Sequence, residues 1–78
     1  MAGSKKHAET VTLRVLVPTP AVAGLFHRLL EAYDHLGFAT DGSRGFIDVH
    51  APASLRDELF AVAHEIAAAT GATVLGER

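Results

Sequence analysis

Cysteine is missing from all 78 residues, and with it go disulfides, thiolate zinc sites, Fe–S clusters and thiol nucleophiles. Long apolar runs are missing too. No stretch approaches the roughly 18 consecutive apolar residues of a membrane span, and Met1–Glu9 has two lysines with no apolar run behind them, so a soluble, cytoplasmic protein away from the membrane is expected. Positive charge is also scarce. Seven Lys and Arg against nine Asp and Glu leave a net charge of −2, and the scattered basic residues give no electrostatic reason to expect nucleic acid. Nor does any HExxH or other three-ligand spacing occur among the five histidines. His27 and Glu31 stand one helical turn apart with His35 further on, which reads as a solvated helix face carrying an i,i+4 pair, and His64 beside Glu65 reads as surface. No metal and no cofactor is expected, and no nucleophile with an adjacent base is indicated.

What is present is a folding pattern. A hydrophobic share of 49% with 21% charged residues is enough for a chain of this length to fold rather than stay disordered. Residues 1–9 are small, polar and basic, and read as a mobile tail; residues 10–78 read as one domain. From Thr10 to Val17 the residues Val11, Leu13, Val15 and Val17 alternate with Thr10, Thr12, Arg14 and Leu16, the period of a half-buried strand. Pro18-Thr19-Pro20 ends it and starts a helix, with Thr19 as N-cap and Pro20 at the first helical position. Val22, Leu25, Phe26, Leu29, Leu30, Tyr33 and Leu36 recur at helical spacing up to Gly37, a natural helix stop, and Gly24 inside that helix is a candidate for close backbone approach. Phe38-Ala39-Thr40 reads as a short second strand, joined by the turn formers Asp41–Gly45 to a third strand, Arg44–Ala51. Pro52 is expected to break that strand. A second helix is expected from about Leu55 to Thr70, started by Ser54-Leu55-Arg56-Asp57 and stopped by Gly71, followed by a last strand over Ala72–Leu75.

The order βαββαβ implies an α+β, ferredoxin-like sandwich: a four-stranded antiparallel sheet of order 4-1-3-2 with both helices on one face. The expected core is Val11, Leu13, Val15, Leu25, Leu29, Ile47, Val49, Leu59, Val62 and Ile66. On the other face Arg14 and Leu16 would lie beside Phe46, Asp48 and His50. Arg14, Asp48 and His50 are therefore candidates for holding a small anion, or for acid–base work, against the plainer reading of an Arg14–Asp48 pair with Leu16 and Phe46 covered by a second subunit. The helix start at Pro18, Thr19, Pro20, Ala21 and Val22 is a second candidate ligand site, because unpaired amides there attract carboxylate or phosphate groups.

Two family resemblances follow from these residues. Arg44-Gly45-Phe46 with Val49 resembles the opening of the third-strand signature of the RNA-recognition motif, although that family's later aromatic positions hold Asp48 and Ala51 here and Arg14–Val17 offers no aromatic for stacking. Over Thr10–Leu75 the chain resembles the ACT-like group of small regulatory domains, which includes short stand-alone bacterial versions: Val15-Leu16-Val17-Pro18-Thr19-Pro20 is similar to the end of the first strand and its loop, and Leu29–Phe38 to the helix-to-strand passage. Where ACT-like domains carry a glycine after the loop proline, Ala21 and Val22 follow Pro20. The resemblance implies a homodimer and a small effector, often an amino acid, held near that loop. The expectation is a small-molecule-sensing or adaptor module working as a homodimer, with a single-stranded RNA-binding module and a small enzyme on the open sheet face as alternatives. A homodimer is further expected because a core this small is marginal alone.

Overall fold

The protein is described here from a computed structural model, whose described residues are 9–41 and 45–77. The elements follow one another as β1 (Thr10–Leu16), α1 (Pro20–Glu31), β2 (Phe38–Asp41), β3 (Phe46–Pro52), a 3₁₀ turn (Ala53–Leu55), α2 (Arg56–Thr70) and β4 (Thr73–Glu77). The sheet order is β2-β3-β1-β4 with every neighbouring pair antiparallel, which is the expected ferredoxin-like order read from the other edge. The expected tail falls mostly outside the described residues, as do Gly42, Ser43 and Arg44 of the hairpin.

Alternation fixes which face is buried. In the β1–β3 ladder Val11 lies opposite Ala51, Leu13 opposite Val49 and Val15 opposite Ile47, and all six side chains are buried. They form one cluster with Phe26 and Leu30 of α1 and Leu59, Ala63, Ile66 and Ala67 of α2, so both helices cover the same side of the sheet. Burial of large apolar side chains such as Phe26 and Leu59 contributes about 1.5–3 kcal/mol each.

Three expectations about packing are corrected. Leu25 and Leu29 are exposed and Val62 is only half-buried, while Phe26 and Leu30 fill the core. Leu25 and Leu29 make one i,i+4 ladder and Phe26 and Leu30 another beside it, and a 3.6-residue period fits either; the bulkier Phe26 takes the interior. Gly37 does not cap α1. The helix stops at Glu31, and tight turns follow in which Ala32 N–H donates to Leu29 O, Tyr33 N–H to Leu30 O and Leu36 N–H to Tyr33 O. Those turns carry Leu36 into the interior. Gly37 instead lies against β3, where a Cβ would collide with the His50 carbonyl oxygen and crowd Ala51 Cβ, whereas a Cβ at Gly24 would meet nothing within 4 Å. Close approach therefore belongs to Gly37, not Gly24.

The ends of the elements differ in smaller ways. Pro52 remains in β3, opposite Thr10, and Ala53 N–H then donates to Glu9 O; as the last strand residue, its missing donor breaks no interior rung. Thr19 caps α1 as expected, its Oγ1 accepting from Val22 N–H at 3.2 Å. Ser54 does not cap α2, because Ala53–Leu55 wind into a 3₁₀ turn and Leu55 occupies the cap position without a side-chain bond. Gly71 ends α2 in the left-handed region, at φ 93°. In β4 the ladder slips: Val74 lies opposite Val15 but Gly76 opposite Arg14, leaving Leu75 as the extra residue of a bulge. Arg56 at the start of α2 reaches Glu77 at the end of β4 in a 2.6 Å ion pair.

Candidate functional site

The face away from the helices is assembled from alternate residues of all four strands. Opposite one another stand Leu16 and Phe46, Arg14 and Asp48, and Thr12 and His50; from β2, Phe38 lies opposite His50 and Thr40 opposite Asp48; β4 adds Thr73 opposite Leu16, with Leu75 in the bulge beside Arg14. The sequence-predicted residues Arg14, Leu16, Phe46, Asp48 and His50 are thus brought together on this face.

At its centre Arg14 grips Asp48 with two bonds, Nε donating to Oδ1 at 3.0 Å and Nη2 to Oδ2 at 3.3 Å. Such a fork fixes both side chains in direction. Asp48 is 6% exposed although it lies on the uncovered face, because its neighbours close over it. The guanidinium carbon of Arg14 also stands 5.1 Å above the centre of the Phe46 ring, within reach of a cation–π contact. The Arg14 pKa is raised above its usual value, first by the hydrogen bond to Asp48 and also by the charge of that carboxylate, against a lowering by desolvation. Arg14 is therefore a permanent cation.

His50 is held on both sides. Its Nδ1 is 3.1 Å from Thr12 Oγ1 and its Nε2 2.9 Å from Thr40 Oγ1, and a hydroxyl donates or accepts as the imidazole nitrogen it faces requires. The Phe38 ring tilts against it with centroids 5.2 Å apart. Around these paired groups lie the apolar side chains: Phe38 is 62% exposed, Leu75 52% and Leu16 37%, while Phe46 is half-buried. Phe38, Leu75, Thr12 and Thr40 were not singled out from the sequence. The alternation of Phe38 and Thr40 about Ala39 carried the signal for β2, whereas the bulge that brings Leu75 beside Arg14 depends on β1–β4 register.

The loop candidate stands at the end of β1 that carries Leu16. Pro18, Thr19, Pro20 and Ala21 are exposed and Val22 half-buried. Pro18 and Pro20 have no backbone donor and Val22 N–H is taken by Thr19 Oγ1, while Ala23 N–H, the next along, donates to Thr19 O. A separate open cleft of about 230 Å³ lies between the end of α1 and β2, lined by His27, Leu30, Glu31, Asp34, Gly37, Phe38 and Ala39. Two carboxylates give it a lining suited to cations rather than anions. Among the described residues no group of three or more His, Cys, Asp or Glu is placed to hold a metal ion, and no helix is long and apolar enough to cross a membrane.

These features define a small ferredoxin-like α+β module whose uncovered sheet face carries internally paired polar groups among apolar ones. The chain belongs to the family described as a domain of unknown function (DUF4911), which matches residues 17–69. That span runs from the residue after β1 through α1, β2, β3 and nearly all of α2. No curated protein and no solved structure matches the chain.

Proposed function

We propose that the protein is a non-catalytic adaptor or regulatory module that works as a homodimer, with the open sheet face as a contact surface. One observation carries the reading: Arg14, Asp48 and His50, the groups that would have to do chemistry or hold an anion there, are already engaged, with each other or with threonines of the neighbouring strands, in four hydrogen bonds. Groups tied in this way are poor acid–base catalysts, which need a reacting atom within hydrogen-bond reach. They are well suited to being covered, since burial then leaves no donor or acceptor stranded. The ACT-like resemblance of Val15–Pro20 and Leu29–Phe38 supports a regulatory role and adds a small anionic or amino-acid effector near Pro18–Val22.

Single-stranded RNA is the less favoured partner. Single-strand binding stacks successive bases on a row of aromatic faces along a basic groove, whereas here Arg14 covers Phe46 and is itself paired with Asp48, leaving Phe38 as one exposed ring.

The test is the mass of the full chain by light scattering at micromolar concentration, where about twice 8.2 kDa supports the reading and a monomer removes it. A thermal-melting panel of the common amino acids and nucleotides at millimolar concentration tests the effector, because a ligand bound by the folded state raises the melting temperature. A reproducible rise with one compound, lost in Thr19→Ala or Ala21→Glu, supports sensing at the loop; no rise across the panel leaves the adaptor role alone.

A further inference from the structure

Besides its open sheet face, the protein shows a second uncovered apolar strip, Leu25 and Leu29 on α1, 41% and 36% exposed. The two compete to explain where a second copy sits. Four strands about 4.8 Å apart, with the longest advancing about 3.3 Å per residue over seven residues, make a face of about 400 Å² in plan, so two copies packed through it bury about 1,000 Å² in total once side-chain relief is included. That meets the roughly 1,000 Å² a biological interface should clear, at the weak end of the range. A strip of two leucines on a twelve-residue helix offers far less.

Charge points the same way. Among the described residues the sheet face carries one cation, Arg14, and one anion, Asp48, already joined, with threonines, His50 and apolar side chains around them. Among the described residues, a copy of the same face therefore brings no unpaired charge to be desolvated. An acidic or basic partner would find no free counter-charge among the described residues of this face. The α1 strip is flanked instead by Arg28 and Glu31, exposed and at home in water.

We infer that a second copy of this chain packs sheet on sheet over the open face, with Leu16, Phe46 and Leu75 at the contact and the Arg14–Asp48 pair sealed beneath it. This rests on the homodimer reading above, and the partner it names is the same surface turned on itself by a two-fold axis. Already joined within its own protomer by the fork of 3.0 and 3.3 Å, the Arg14–Asp48 pair can be covered with both charges compensated.

Sedimentation equilibrium on the full chain tests it, with Phe46→Asp, Leu16→Glu and Leu29→Glu measured beside the wild type and far-UV circular dichroism recorded for each. Both sheet-face variants are expected to weaken dimerisation tenfold or more, and Leu29→Glu to leave it within twofold. Leu16 is the more exposed of the two sheet-face residues, so Leu16→Glu decides the matter if Phe46→Asp fails to fold. A wild-type dimer that survives both sheet-face variants, being paired by strand edges, or one that Leu29→Glu dissociates, overturns the inference while leaving the homodimer reading standing. A wild type that is monomeric at every concentration removes both.

Discussion

The same substitution, glycine to alanine, is expected to have opposite signs at two positions, and the difference follows from what each new methyl group meets. At Gly24, on the exposed side of α1, a Cβ has nothing within 4 Å. Alanine there gains intrinsic helix propensity, about 0.5–1 kcal/mol relative to glycine. For a domain of this size that is a rise of about 2–8 °C in melting temperature. At Gly37 the methyl group collides with the His50 carbonyl oxygen and approaches Ala51 Cβ to 3.0 Å. A carbonyl in the β2–β3 ladder has no rotamer to retreat to, so β2 must move away, and overpacking of this kind costs typically about 1–3 kcal/mol. The melting temperature should fall by about 4–24 °C. Because Phe38, the next residue, packs on the His50 ring, the His50 ring resonances should shift in Gly37→Ala and stay in place in Gly24→Ala. Urea unfolding with nuclear magnetic resonance of the imidazole protons reads both effects. Gly37→Ala as stable as the wild type, or Gly24→Ala less stable, would refute the placement of these glycines.

Other expected outcomes separate the interior from the surface. Phe26→Ala, at a fully buried position, should cost about 3–5 kcal/mol, whereas Leu25→Ala next to it should cost well under half as much; equal losses in chemical denaturation would show that the helix buries a different side. Thr19→Ala should lose about 0.5–2 kcal/mol through the α1 cap, measured in the same way, and an unchanged midpoint would contradict the Thr19–Val22 bond. Arg14→Met leaves Asp48 buried without its forked donor and should destabilise the protein, with Arg14→Met/Asp48→Leu recovering part of the loss in a double-mutant cycle; additive losses would show that the pair is not coupled.

The central strands were legible in the sequence because their information is local. Val11, Leu13 and Val15, and Ile47, Val49 and Ala51, each alternate cleanly, and that alone places Arg14 beside Asp48 and Leu16 beside Phe46 once the two strands are paired. The stops at Pro18-Thr19-Pro20 and Gly71 were legible for the same reason. The buried side of α1 was not, because Leu25-Phe26 and Leu29-Leu30 supply two parallel ladders and only the space above the sheet selects Phe26 and Leu30. The role of Gly37 depends on the approach of β3, thirteen residues away, and the position of Leu75 on a slip in the β1–β4 ladder. Leu16 and Phe46 were therefore found from the sequence, while Phe38, Leu75 and the threonines that hold His50 needed the register of the assembled sheet.

The contact surface itself is tested most directly by isotope-filtered nuclear Overhauser spectroscopy on an equimolar mixture of ¹³C-labelled and unlabelled full-length chain. The expected result is a set of cross-peaks between protomers from the Leu16 and Leu75 methyl groups and the Phe46 ring, with none from Leu25 or Leu29. Cross-peaks between protomers that come from Leu25 and Leu29, with Leu16 and Phe46 silent, would contradict the account.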